Sequence, residues 1–214
     1  MHARLRGAGL LCALVTLGSL NSLDRSESLP QLQRETIDAR EIRPNRFAVE
    51  VSYYMHGATE TTLRGAFPVR RSLPLQNFRA YVGGREMAVI VEDLAGREAC
   101  LAGQCFGLLY RYPIASDKAD WVMVNTFEFE APEFSLKGSP KSYRTFEYIL
   151  RTGSAWRGKI EDFTMQIRFL RPVCSRLITH GYRGKCLDEK TWQTQISDFE
   201  PDRDILLRAP EVSQ

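Results

Sequence analysis

Apolar and polar residues alternate at every second position through most of this chain. Phe47, Val49, Val51 and Tyr53 fall on one side, with Ala48, Glu50 and Ser52 on the other, the signature of a strand with one buried and one wet face. The same period recurs at 61–67, 78–82, 87–91, 106–112, 121–130, 146–151, 163–169, 192–197 and 205–208, predicting ten strands in all. Turn signals separate them: His56-Gly57, Gly83-Gly84, 137–140 and Arg183-Gly184 are places where the backbone reverses at low cost. Gly83-Gly84 reads as a two-residue hairpin, because paired glycines accept the positive φ of primed turns. Helical periodicity is scarce. The predicted fold is all-β, an antiparallel β-sandwich or a barrel-like sheet with little helix.

Two stretches break the alternation. In 23–44, Leu29, Leu32, Ile37 and Ile42 are too sparse to define a face, so this part is expected to be an extended N-terminal segment. The polar stretch 131–142 is a candidate divider between two halves of a β-rich domain spanning 45–208, followed by a tail at 209–214.

The first residues carry a different pattern. Positions 1–7 hold Arg4 and Arg6 and no acid, and 8–20 is apolar with only small polar interruptions. That run is shorter than the about 20 residues of a membrane-spanning helix, which predicts a secretory signal over 1–22, removed between Gly18 and Leu23, and no transmembrane span in the mature chain. An uncleaved N-terminal anchor is the alternative. Either places the protein outside the cytoplasm, periplasmic or secreted. Cys12 has Leu11 before it, where lipidation wants a small residue.

Composition adds what the protein is not. Hydrophobic residues at 43% and charged residues at 26% suit a folded body rather than a disordered one. The formal charge of +3 includes Arg4 and Arg6 and falls to +1 without them. No run of Lys and Arg exists to displace counterions from phosphates, so nucleic acid is set aside as a partner.

In an exported chain the four cysteines Cys100, Cys105, Cys174 and Cys186 predict disulfides. Four cysteines allow three pairings, and loop closure is least costly for Cys100–Cys105 and Cys174–Cys186. Cys174 and Cys186 flank His180, but the spacing is not that of a structural zinc site, and no metal is expected.

Tyr148, Ile149, Leu150, Arg151, Thr152, Gly153, Ser154, Ala155, Trp156, Arg157, Gly158, Lys159 and Ile160 form one distinctive stretch. With Trp192, with Phe199 to Ile205 (Phe-Glu-Pro-Asp-Arg-Asp-Ile), and with Leu63 to Val69 ahead of Phe78 and the Gly83-Gly84 hairpin, it resembles an exported bacterial family, domain of unknown function 4424 (DUF 4424). The resemblance implies an extracytoplasmic β-rich fold of bacterial origin and carries over no catalytic residue. The local cysteine pairs have no counterpart in that pattern.

Candidate chemistry is thin. Glu128 and Glu130 leave one strand face about 7 Å apart, whereas glycosidases set two carboxylates across the substrate from separate elements, so they are not taken as a catalytic pair. His56 and His180 each stand beside a glycine in a turn, where a histidine is usually solvated. No motif of a nucleophile elbow, zinc protease, P-loop or dinucleotide fold is present. No catalytic residue and no cofactor are therefore assigned. Trp121 shares a face with Met123, Phe127 and Phe129 and reads as core. Trp156, between Gly153 and Gly158, is the one candidate binding residue, either capping the core or offering its ring to a ligand. The function these features predict is an exported, non-catalytic β domain that binds a protein, glycan or other envelope component. An envelope hydrolase and a carrier of a small apolar ligand are the alternatives.

Overall fold

The computed structural model describes residues 30–57, 59, 63–70, 73–95, 99–101, 104–135, 142–149 and 159–210, with two further dipeptides at 10–11 and 14–15. Strands in chain order are β1 (Gln31–Arg43), β2 (Arg46–His56), β3 (Leu63–Val69), β4 (Gln76–Val82), β5 (Arg85–Met87), β6 (Ile90–Asp93), β7 (Ala99–Leu101), β8 (Gln104–Phe106) and β9 (Leu108–Ile114). They continue as β10 (Asp120–Glu130), β11 (Glu133–Ser135), β12 (Ser142–Ile149), β13 (Ile160–Arg168), β14 (Ile178–His180), β15 (Lys185–Cys186), β16 (Thr191–Phe199) and β17 (Ile205–Pro210). A 3-10 turn, Cys174–Arg176, is the sole helical element among the described residues. None of their helices is long and apolar enough to cross a membrane.

The architecture is a β-sandwich. Its main sheet has eight strands in the order β15-β16-β13-β1-β2-β10-β4-β5. A second layer holds β12-β17-β14, with β11 beside β12, and the group β3-β9-β6. Strands β7 and β8 form a separate hairpin, in which Cys105 stands opposite Cys100. The side chains of Cys100 and Cys105 lie outside the described residues, as does Trp156. The backbone of Leu10–Leu11 pairs with β12 and that of Leu14–Val15 with β3.

The clearest correction to the sequence reading is β1. The segment 23–44 contains a 13-residue strand near the centre of the main sheet, not merely an extended approach to the domain. Its inward face carries Leu32, Glu35, Ile37, Ala39 and Glu41, all buried. Two glutamates stand where a regular pattern would have apolar residues, and the register shifts between Leu32 and Arg34. That irregularity moves the apolar set out of simple alternation, since one extra residue flips side chains to the other face. The pairing of β1 with β13 is parallel, the exception in an otherwise antiparallel main sheet.

Each buried glutamate has partners. Glu41 accepts the Asn45 N–H through Oε1 (2.8 Å) and the Leu170 N–H through Oε2 (2.9 Å). The first bond holds the β1–β2 turn, where Asn45 adopts φ 65°, a conformation Asn tolerates better than most residues. Glu35 accepts the Tyr148 O–H at 2.8 Å, tying the main sheet to β12. Buried carboxylates are tolerable only with such partners.

The layers meet through aromatic rings. Phe47 packs on Phe146 at 5.5 Å and Phe67 on Phe127 at 5.2 Å, within the range where edge-on and offset rings attract. Asn125 donates to the Tyr112 hydroxyl at 2.9 Å across the same interface. Strands from both sides of 131–142 enter the main sheet, and one hydrophobic cluster runs from Leu32 to Leu207. The stretch 131–142 thus connects strands of a shared core.

Candidate functional site

Among the described residues, the void that reaches furthest into the sandwich is small. The void among Phe47, Phe146, Phe169, Val173 and Leu207 measures about 20 Å³, space for no more than a water. A small apolar ligand would need a cavity of a few hundred Å³.

The outer face of the main sheet is the opposite. Alternation in β1, β2, β10, β13 and β16 turns hydroxyl, amide and charged side chains outward, and the register aligns them in rows. One row runs Ser197, Asp162, Arg34, Tyr54, Val122. The next runs Gln195, Thr164, Thr36, Ser52, Val124, Tyr81. All of these except Ser52 are half-buried or exposed.

Two clefts border the first row. One, about 390 Å³, is lined by Gln33, Arg34, Tyr54, Trp121, Asp162 and their neighbours. The other, about 450 Å³, is lined by Arg183, Gly184, Lys185 and residues of β16. They adjoin where Asp162 and Ser197 are ladder partners. At the centre the Arg34 guanidinium lies 3.8 Å from the centroid of the Tyr54 ring, a cation–π contact that ties the two side chains together. Trp121, a core residue of the inner face, also borders the first cleft; it is buried to 5% exposure, with its indole N–H donated to the Gly57 carbonyl at 2.9 Å. His56, also at this end, places Nδ1 2.7 Å from Asp120 Oδ1. Both are well exposed, so the pair sits in water rather than in a dry catalytic pocket.

The second cleft is braced from below. A disulfide joins Cys174 to Cys186, 12 residues apart, so these sulfurs are spent on each other and not on a metal. The bend from Phe199 to Ile205 is tethered to Tyr182, whose hydroxyl accepts the Asp202 N–H at 3.0 Å. Arg203 donates to both oxygens of Asp202 (2.8 and 2.7 Å), and the Tyr182 hydroxyl donates to Asp202 at 2.6 Å. These bonds, Arg203 foremost, hold the Asp202 carboxyl far below the usual carboxylate range. Burial and then the Asp202 contact push the Tyr182 hydroxyl up. The ring of Tyr182 meets Phe199 edge-on at 5.0 Å. The Phe-Glu-Pro-Asp-Arg-Asp-Ile stretch is therefore a turn lock.

Glu128 and Glu130 are on the outer face, as their alternation with Phe127 and Phe129 requires, and each has a cation. Glu128 accepts from Arg46 (2.7 Å) and Asn77 (3.0 Å), bonds that hold its carboxyl below the usual carboxylate range, Asn77 contributing most. Glu130 lies 3.6 Å from Arg43. The sequence reading did not single out Arg34 and Tyr54. Arg34, Thr36, Asp38 and Arg40 do alternate with buried positions, a signal obscured by Glu35 and the bulge beside it.

No family model and no curated relative matches this chain. Solved structures share its fold. A candidate nutrient binding protein from Legionella pneumophila superposes with a TM-score of 0.70 at 13% identity, covering 95% of this chain and 71% of its own. Leukotriene A4 hydrolase from Saccharomyces cerevisiae does so with a TM-score of 0.50 at 12% identity, over 88% of this chain but 30% of the hydrolase. At these identities the likeness is one of fold alone.

Proposed function

We propose that this protein is an exported, non-catalytic β domain that binds a polar partner, a glycan or a protein segment of the cell envelope, on the outer face of its main sheet. The carrying observation is the row Ser197, Asp162, Arg34, Tyr54, Val122 with a cleft of about 390 Å³ beside it. Amides, hydroxyls and a stacked Arg–Tyr pair on rigid strands offer directional hydrogen bonds and a flat aromatic-edged surface, which suits sugars and extended peptides better than an apolar molecule. Export is supported by the basic start with its short apolar run and by the Cys174–Cys186 disulfide, a bond that persists in oxidising compartments. The resemblance to DUF 4424 belongs to the same reading.

Trp121 lines the cleft, so its fluorescence reports occupancy. Titration with cell-wall oligosaccharides and with peptides from an envelope digest should give a saturable change in the wild type. Tyr54→Ala should weaken it about tenfold or more. Equal binding by Arg34→Ala and Tyr54→Ala variants would remove the site, and no saturable response to any fraction would remove the proposal.

A further inference from the structure

Among the described strands, the main sheet has an incomplete edge. Strand β16 is paired along its whole length with β13, but on its other side β15 covers only Trp192 and Gln193. Beyond Gln193, no described strand continues that side. The direction of the free backbone groups follows from the ladder. Leu187 N–H donates to the Thr191 carbonyl at 2.9 Å, which makes these two a hydrogen-bonded pair in the register that sets Lys185 opposite Gln193. Such pairs alternate along an antiparallel ladder. Gln195 and Ser197 therefore aim their N–H and C=O groups away from β13, toward the missing strand. The edge ends at Asp198, where φ of 51° bends the chain.

The space beside this edge is the 450 Å³ cleft, bounded by Arg183, Gly184 and Lys185. The chain turns away there, as the Arg183 carbonyl accepts the Thr194 hydroxyl at 2.7 Å from the inner side. We infer that the cleft receives an extended peptide as an added strand, antiparallel to β16, whose C-terminal carboxylate or terminal acidic residue meets Arg183 and Lys185. Polarity selects the orientation. An antiparallel addition runs in line with β15 and in its direction, so the C-terminal end arrives at 183–185. A parallel one would bring an amino group against two cations. Main-chain bonds supply affinity in such additions and side-chain or terminal contacts supply specificity. The inference goes beyond the binding face at Arg34 and Tyr54 and stands or falls separately from it.

The test uses fluorescein-labelled octapeptides of randomised Thr and Val ending in Glu with a free carboxylate, followed by anisotropy with the full chain. Saturable binding is expected, weakened about tenfold or more by C-terminal amidation, by Arg183→Glu with Lys185→Glu, and by Gln195→Pro. Proline at 195 removes the N–H that faces the edge and leaves the bonds to β13 in place, and a thermal melt verifies that the variant is folded. Backbone N-methylation of the peptide asks the same question with the protein unchanged. Absence of saturable binding overturns the inference, as does binding indifferent to amidation and N-methylation. Peptide binding that survives Gln195→Pro and is lost in Tyr54→Ala would assign the peptide to the sheet face and refute strand addition.

Discussion

The two edges of the main sheet solve the same problem in different ways. At one, β5 has three residues, reached through Gly83 and Gly84, whose φ values are 57° and 81° and around which a side chain would meet nothing within 4 Å. This edge is short and charged with Arg85 and Glu86, a common way of discouraging association, and besides its turn it is held by the ladder to β4, the Arg79–Glu86 pair at 3.9 Å and Met87 against the core. At the other, β15 has two residues but is stapled by Cys174–Cys186 and packed down on Trp192. A Cβ at Gly184 would lie 2.3 Å from the Trp192 ring. The first edge is a turn that happens to end a sheet. The second is built, and among the described strands its pairing ends at Gln193.

Four substitutions or treatments probe that contrast. Trp192→Ala should have the largest effect, because the ring is 2% exposed and truncating a buried tryptophan costs about 3–5 kcal/mol. Urea unfolding measures it. A loss below about 1 kcal/mol would show that the β15 edge is not packed as described.

Next, reducing Cys174–Cys186, or replacing both cysteines with serine, opens a 12-residue separation and should cost roughly 2–4 kcal/mol. Melts with and without reductant check this. An unchanged midpoint would mean that Trp192 and Gly184 hold the edge without the bond.

Gly84→Ala should cost about 1–2 kcal/mol, the conformational term alone, since the site is left-handed but spacious. If it destabilised as much as Trp192→Ala, the two edges would not differ in kind.

Glu128→Gln should do least. Its carboxylate, held below the usual range by Asn77 and Arg46, adds stability that is complete at neutral pH and fades as pH falls below the ordinary glutamate value of about 4.3. The variant should therefore melt slightly below wild type at neutral pH and converge on it in acid, a shallower acid decline. A steeper decline than wild type would contradict the bonding seen at this residue.

Which parts of this were legible in the chain follows from how each is encoded. Strands whose buried face is apolar, such as β10 with Trp121, Met123, Phe127 and Phe129, can be read from period-2 alternation alone, because burial on one face is a local constraint repeated every second residue. The Gly83-Gly84 hairpin can be read as well, since positive φ is a property of the residue itself. Strand β1 could not, because Glu35 and Glu41 are acceptable inside only once Tyr148, Asn45 and the Leu170 backbone supply their hydrogen bonds. Asn45 is only four positions from Glu41, but Tyr148 and Leu170 lie 113 and 129 positions from the glutamates they bond, beyond any local window.

The all-β class, the strand-rich body and the outward position of Glu128 and Glu130 were thus determined by the sequence itself, through alternation and turn chemistry. Strand order, the parallel junction of β1 with β13, and the alignment of Ser197, Asp162, Arg34, Tyr54 and Val122 were decided only by tertiary structure. These five residues come from five strands, and register between strands distant in sequence is set by which inner faces pack together. The same holds for the part of β16 beyond Gln193, which no described strand pairs on its outer side: only the assembled sheet decides which strand forms its edge.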